Sequence, residues 1–334
     1  MNLAKPYLLF LGDATRDAAA KTGFGLRDWC RDDCIGQWSL PAARVDLGLP
    51  VLDPAAAVAK GAKSLVIAVA PVGGAIAPSW VPSLVAALEA GLDVVSGMHA
   101  CLGDVAALAA AAARTGRGLV DVRRPRASFP VATGLRRPGK RLLTVGTDCA
   151  LGKKYTALAL TKELLGRGVR ADFRATGQTG IMISGSGVAI DAVVADFIAG
   201  AAETLSPPND PDHWDIIEGQ GSLFHPAYAG VTLGLLHGSQ PDALVLCHDP
   251  TRKHIEGFAE FPLIALAPAI RRYTEAAQLT NPRARFVGVS LNTSRLPADE
   301  RAATLARVES ELGLPCCDPL VTGMARIAER VVVL

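Results

Sequence analysis

Short apolar runs alternate along this chain with longer segments of helical spacing. In the first part, 7–12, 64–70, 93–96 and 119–122 are β-branched or apolar runs, separated by Ala/Leu-rich segments at 81–90 and 104–114 whose apolar positions recur three and four apart. The alternation resumes with strands at 141–146 and 169–175, helices at 153–165 and 188–202, strands at 214–218 and 243–247, a helix at 268–279, a strand at 285–289 and a helix at 298–312, and a last short strand is expected at 314–316. Strands that alternate with helices predict parallel sheets covered by helices. Between the two series, 123–140 loses its period and is rich in Pro, Arg and Gly, which sets a domain boundary. The expectation is an α/β protein: an N-terminal Rossmann-like parallel-sheet domain over 1–137, basic linker included, followed by a P-loop NTPase-like α/β domain over 138–334. The linker arginines read as a solvated hinge before they read as ligand contacts.

The segment that says most runs from the strand at 141–146 into the helix at 153. Gly146, Thr147, Asp148, Cys149, Ala150, Leu151, Gly152, Lys153, Lys154 and Tyr155 form a strand, a glycine-lysine turn and a helix start. Backbone N–H groups at such a start, with the helix dipole behind them and an ammonium beside them, make a concave site for a pyrophosphate or a carboxylate. Five residues separate the two glycines, one more than in the common phosphate loop, and this stretched form resembles the loop of dethiobiotin synthetase and related amidoligase-type proteins. Lys154 departs from that pattern. Nucleotide triphosphatases carry a Mg²⁺-binding hydroxyl there, whereas an ammonium cannot ligate a metal. Thr156 does not replace it, since two residues on it points about 200° round the helix. The loop therefore looks built to hold phosphate without a metal.

Other loops follow predicted strands. Glu218 leads the glycine-rich run Glu218-Gly219-Gln220-Gly221-Ser222, and a partly desolvated carboxylate there is a candidate general base; a strand-end ion pair with Lys153 or Arg174 is the plainer alternative. His225 is a second candidate base. Gln178 and Thr179 offer polar contacts, and Arg174, Arg252 and Lys253 suit carboxylates. The amides of 219–222 are candidates to stabilise an oxyanion.

Composition narrows the partners. The 334 residues are half apolar, only 5% aromatic, and carry a formal charge of +2 with scattered basic residues, so nothing forms the electrostatic footprint of a nucleic-acid binder. No uninterrupted apolar run is long enough to cross a bilayer, and the first residues lack the features of a signal peptide. A cytoplasmic protein is expected. Seven cysteines argue against a disulfide framework, Cys149 reads as a small loop residue, and no metal-ligand spacing is present. Apolar helix faces are compatible with a homo-oligomer, a dimer in the simplest case.

The ordered set 146–156, Ala-Thr-Gly-Gln-Thr-Gly at 175–180, Asp196 to Gly200 with Glu203, Glu-Gly-Gln-Gly-Ser-Leu at 218–223 with His225-Pro226, and Leu-His-Gly-Ser at 236–239 resembles a bacterial and archaeal family whose characterised branch is the D-glutamate N-acetyltransferases called DgcN. The resemblance spans nearly the whole chain. It implies acetyl transfer from acetyl-CoA to the amino group of D-glutamate, with no metal required. Coenzyme A carries a diphosphate and a 3′-phosphate, so the 146–155 segment would hold it, Glu218 or His225 would serve as base, and Arg174, Gln178, Thr179, Ser222, Arg252 and Lys253 would contact substrate. The alternatives are an ATP-dependent ligase or kinase of a small carboxylate, and a non-catalytic metabolite-binding protein.

Overall fold

The computed structural model describes residues 3–71, 73–124 and 128–334, with the backbone alone at Ala18. Among the described residues, thirteen strands and eleven α-helices are formed. The chain divides into two compact units, Met1–Arg126 with Gly177–Ala189, and Ala127–Thr176 with Ile190–Leu334.

In the first unit the strands are β1 (Tyr7–Phe10), β2 (Cys34–Trp38), β3 (Ser64–Ile67), β4 (Asp93–Ser96) and β5 (Leu119–Asp121). They form one sheet in the order β2-β1-β3-β4-β5, every pairing parallel. Its helices are α1 (Lys21–Trp29), α2 (Pro54–Ala59), α3 (Val81–Ala90), α4 (Ala106–Thr115) and, from the inserted segment, a helix at Gln178–Ser184. β1 and β3 are buried along their whole length, as befits inner strands covered on both faces. α3 stops at Gly91, whose φ of 102° closes the helix in a left-handed cap that only glycine adopts without strain.

The second unit holds β6 (Lys140–Gly146), β7 (Ala171–Arg174), β8 (Trp214–Ile217), β9 (Ala243–His248), an antiparallel hairpin of β10 (His254–Ile255) and β11 (Phe258–Pro262), β12 (Arg285–Leu291) and β13 (Cys316–Cys317). Six of these form a parallel sheet in the order β13-β12-β9-β6-β8-β7. Counting Gln178–Ser184 as α6, its helices are α5 (Lys153–Gly166), α7 (Ile198–Leu205), α8 (Ala229–Ser239), α9 (Leu266–Gln278), α10 (Ala298–Leu312) and α11 (Ala325–Val332). Leu142, Ile216, Val245 and Val287 pack with Ala157, Leu160 and Leu164 of α5 and Ile327, Ala328 and Val331 of α11. After β6 the chain builds outward to β8 and β7, then returns to the other side for β9. Ligands of open α/β sheets sit at the carboxyl end of such a switch, which is where the 146–152 loop lies.

The expected α/β class with two parallel sheets is what folds. The helix expected at 188–202 is displaced: two single 3₁₀ turns, Ile190–Ala192 and Ala195–Phe197, lead into α7, which runs on to Leu205. Gly185 and Gly187, both at positive φ, break the chain after α6. The solvated hinge is corrected at Arg137, while Arg124 and Arg136 are exposed as expected. Arg137 is buried and donates to the Ser206 carbonyl at 2.9 Å and the Gly238 carbonyl at 2.9 Å, and Arg141, also buried, donates to the carbonyls of Arg137 and Pro138. These guanidiniums satisfy carbonyls of the linker, of Ser206 and of the last turn of α8. Pro125 and Arg126 of the linker, and Val72, lie outside the described residues.

α7 and α8 cross at small residues. A Cβ on Gly238 would stand 2.2 Å from the Ala199 carbonyl oxygen, whereas one on Gly230, in the same helix, would meet nothing within 4 Å. Gly238→Ala is therefore expected to lower the unfolding free energy by about 2 to 3 kcal/mol, and Gly230→Ala to leave it unchanged or raise it by less than about 1 kcal/mol. Urea unfolding of the two variants measures the contrast.

Candidate active site

The loop between β6 and α5 is shaped by its own side chains. Ala150 takes φ 53° and Gly152, the residue before α5, φ 108°, so the chain doubles back twice before the helix begins. Asp148 is fully buried. Its Oδ1 accepts the Cys149 amide at 2.6 Å, and its Oδ2 accepts Nη1 of Arg252 at 2.6 Å and the Glu256 amide at 2.8 Å. Arg252 also reaches the Cys149 carbonyl at 2.8 Å and Glu256 at 3.0 Å. The segment after β9 is thus bolted to the loop. Below it, the Gly146 carbonyl accepts the hydroxyls of Ser222 and of Tyr273 on α9, each at 2.8 Å. Burial raises the Tyr273 hydroxyl to about 12, so it donates at every working pH.

Lys153 is the buried cation of the site, and its Nζ donates to the Asp148 carbonyl at 2.8 Å. Burial lowers its pKa, while Cys149, Cys247, Asp148 and Glu218 act in the opposite direction. The neighbour that brings Glu218 into this field is Gly219. Its amide donates to Oγ1 of Thr144 at 2.9 Å, and a Cβ there would lie 1.7 Å from the Thr144 carbonyl oxygen. The backbone leaving β8 can press on β6 only because that side chain is missing. Glu218, nearly fully buried, then accepts the Thr176 amide at 3.0 Å through Oε2. Gly219 being engaged with Thr144, its amide is not available as an oxyanion donor.

His225 completes the rim. Its Nδ1 accepts the Ala227 amide at 3.1 Å, which places the hydrogen of the neutral ring on Nε2. Burial lowers its pKa, so the neutral form prevails. The ring stacks on Tyr228 with centroids 4.5 Å apart and meets Phe258 edge-on at 5.1 Å. Asp148, Cys149 and His225 bring one ligand atom each within 4.8 Å of one another. A metal there would compete with Arg252 for a carboxylate whose two oxygens already accept three donors, and burial pushes the Cys149 thiol up, away from the thiolate that a metal binds.

The expected residues divide by what they touch. Lys154 lies over the Tyr155 ring at 5.3 Å. Thr156 faces away from the loop, sharing a 2.7 Å hydrogen bond with Ser290. Of the expected substrate contacts, Arg252 and Ser222 brace the loop, and Arg174 pairs with Asp215 at 2.8 Å and Asp172 at 3.0 Å. Gln178 and Thr179 belong to the first compact unit, where Gln178 accepts Nη2 of Arg123 at 2.8 Å and Thr179 bonds Thr22. Lys253 is exposed. The sequence reading did not single out Thr144 or Tyr273; Thr147, which it placed in the loop, has its hydroxyl bonded to Nδ1 of His248 at 2.9 Å. Only the position of Thr144 beside the loop could have signalled it.

Residues 130–328 match the family model described as "Domain of unknown function (DUF1611_C) P-loop domain", and residues 34–125 the one described as "Domain of unknown function (DUF1611_N) Rossmann-like domain". The chain belongs to the DUF1611 family. It is 52% identical over 324 residues to a protein named D-glutamate N-acetyltransferase from Tritonibacter scottomollicae, covering 97% of each chain. To a protein of the same name from Pseudoalteromonas sp it is 46% identical over 327 residues, covering 98% of each. The crystal structure of a DUF1611 family protein from Anabaena variabilis superposes with a TM-score of 0.88 at 34% identity, covering 98% of this chain and 100% of that one.

The His248 ring ties the family's loop to pH. Burial lowers its pKa from 6.5 to about 4, so between those values the unfolded chain binds a proton that the folded chain refuses. Stability contributed by the neutral ring is complete above pH 6.5 and drains as pH falls towards 4, with a slope of at most about 1.4 kcal/mol per pH unit. His248→Gln should flatten the slope of unfolding free energy against pH by up to one proton in that window. An unchanged slope in urea titrations from pH 7 to 4 would refute this.

Proposed function

We propose that this chain is an acyltransferase that moves the acetyl group of acetyl-CoA to the amino group of D-glutamate, in the cytoplasm and without a metal. What carries the reading is the nearly full-length identity of 52% and 46% to two D-glutamate N-acetyltransferases. The donor set of the loop fits a coenzyme A diphosphate: a buried lysine, a second ammonium at Lys154 where a metal-binding hydroxyl would stand, and the amides of 150–152, those of Thr147 and Cys149 being engaged with the Cys247 carbonyl and the Asp148 carboxylate. When bound, acetyl-CoA supplies an acyl group activated as a thioester.

The side chains then take distinct parts. Lys153 and Lys154 neutralise phosphate charge. Glu218 is an acceptor-only carboxylate next to the loop, and it takes the proton from the substrate ammonium so that a free amine is present to attack. The tautomer of His225 makes it a donor and not a base: Nδ1 is occupied by the Ala227 amide, and Nε2–H is suited to the negative charge that develops on an acyl oxygen. Of Arg174, Arg252 and Lys253, only Lys253 makes no ion pair among the described residues, and it is the side chain assigned to an acceptor carboxylate.

Thiol release from acetyl-CoA in the presence of a panel of D- and L-amino acids tests the reading. Turnover should prefer D-glutamate, survive EDTA and need no ATP, and Glu218→Gln should lower kcat by about a hundredfold or more. Strict dependence on ATP and Mg²⁺ with release of ADP or phosphate would instead establish a ligase, and ligand binding without turnover for any pair would establish a sensor.

A further inference from the structure

Among the described residues, three Phe, Tyr or Trp side chains are exposed, Tyr228, Phe258 and Phe261. They are not scattered. Tyr228 stacks on one side of His225 at 4.5 Å, Phe258 meets the same imidazole at 5.1 Å, and Phe261 meets Phe258 at 6.2 Å and 87°. The four rings form one ladder. It starts at buried His225, a ring nitrogen of which lies within 4.8 Å of Asp148 and Cys149, and it ends in solvent on β11, a strand exposed at all five residues. β11 belongs to the hairpin that Arg252 and the Glu256 amide fasten to Asp148, so the ladder keeps its place relative to the loop.

Exposed apolar rings on an otherwise ordinary surface are candidates for a ligand contact, and this set borders a phosphate grip. A flat, neutral π-face is what such a ladder accepts. In the donor proposed above, a single sugar ring separates the base from the first phosphate, whereas the acyl arm has no flat ring to stack. We infer that Tyr228, Phe258 and Phe261 form the stacking subsite for the purine base of the acyl donor, with its diphosphate held by the adjacent loop. This inference rests on the proposed function, and it adds the part of the donor that the phosphate loop alone does not recognise.

The probe is adenosine 3′,5′-bisphosphate, the nucleotide half of coenzyme A, followed by calorimetry on the full chain. Tyr228→Ala and Phe258→Ala should each weaken its binding on the order of tenfold, and Tyr228→Phe should retain it. Because Tyr228 and Phe258 also support His225, Phe261→Ala is the decisive variant: among the described residues its only ring contact is Phe258, and it should still weaken the probe several-fold. In kinetics, the preference for acetyl-CoA over acetyl-pantetheine, which lacks the base, should shrink in the same variants. Wild-type affinity in all three alanine variants would overturn the inference while leaving the acetyltransferase reading intact. Unchanged probe binding together with a shift from dimer to monomer in sedimentation would show that the ladder joins two copies of the chain, again overturning it. Failure of the wild-type chain both to bind the probe and to use acetyl-CoA would remove the donor assignment and the inference with it.

Discussion

A fully buried carboxylate, that of Asp148, organises the second unit's site. Placing a charge out of water is costly unless hydrogen-bonded donors surround it, and here they come from three places in the sequence: the next residue's amide, the guanidinium of Arg252 and the amide of Glu256. Each donor is thereby fixed. The first sets the curvature of the loop, the second and third hold the hairpin after β9 beside it. The loop's shape is consequently made by the protein before any ligand arrives, which is the condition for dipoles and amides to stabilise charge without reorganising.

A second constraint acts at the floor of the site. Contact between Gly219 and Thr144 is possible only without a Cβ, and it draws the residue before it, Glu218, to the neighbourhood of Lys153. Glu218 and Lys153 are neighbours because β6 and β8 are adjacent in the sheet. The chemistry is thus a consequence of strand order, which places two turns far apart in sequence at neighbouring strand ends.

That order was legible in part from the chain. A glycine-lysine turn after an apolar run predicts strand, loop and helix, since turn chemistry and period agree there, and β6, the loop and α5 form as expected. Where local signals conflict, reading by period fails. The segment 175–187 looks like loop because of its glycines, yet 178–184 forms a helix buried at Gly180, Ile181, Met182 and Ile183, held by contacts no periodicity reveals. β11 has no buried face to announce it. Arginine is the hardest residue to read: Arg137, Arg141, Arg174 and Arg252 carry the same charge and fork as a ligand-binding arginine, and only the fold shows that their partners are carbonyls and carboxylates of the chain itself. A side chain's chemistry states what it can bind, not whether the fold has already supplied it.

The closeness of these groups also limits how a long donor can react. Glu218 and His225 flank the loop that would hold the diphosphate, while the arm from diphosphate to thioester, built of peptide-like units, spans on the order of 15 Å when extended. Reaction beside Glu218 therefore requires the arm to fold back over the loop. A donor held at its phosphates alone would sample that bend as one conformation among many, with the entropy cost of ordering each rotor. Anchoring the base on a rigid aromatic surface fixes the sugar and the diphosphate from the far side, so that the remaining freedom lies in the arm itself. The same Asp148 carboxylate that fixes the Cys149 amide thus also holds the hairpin that carries Phe258 and Phe261.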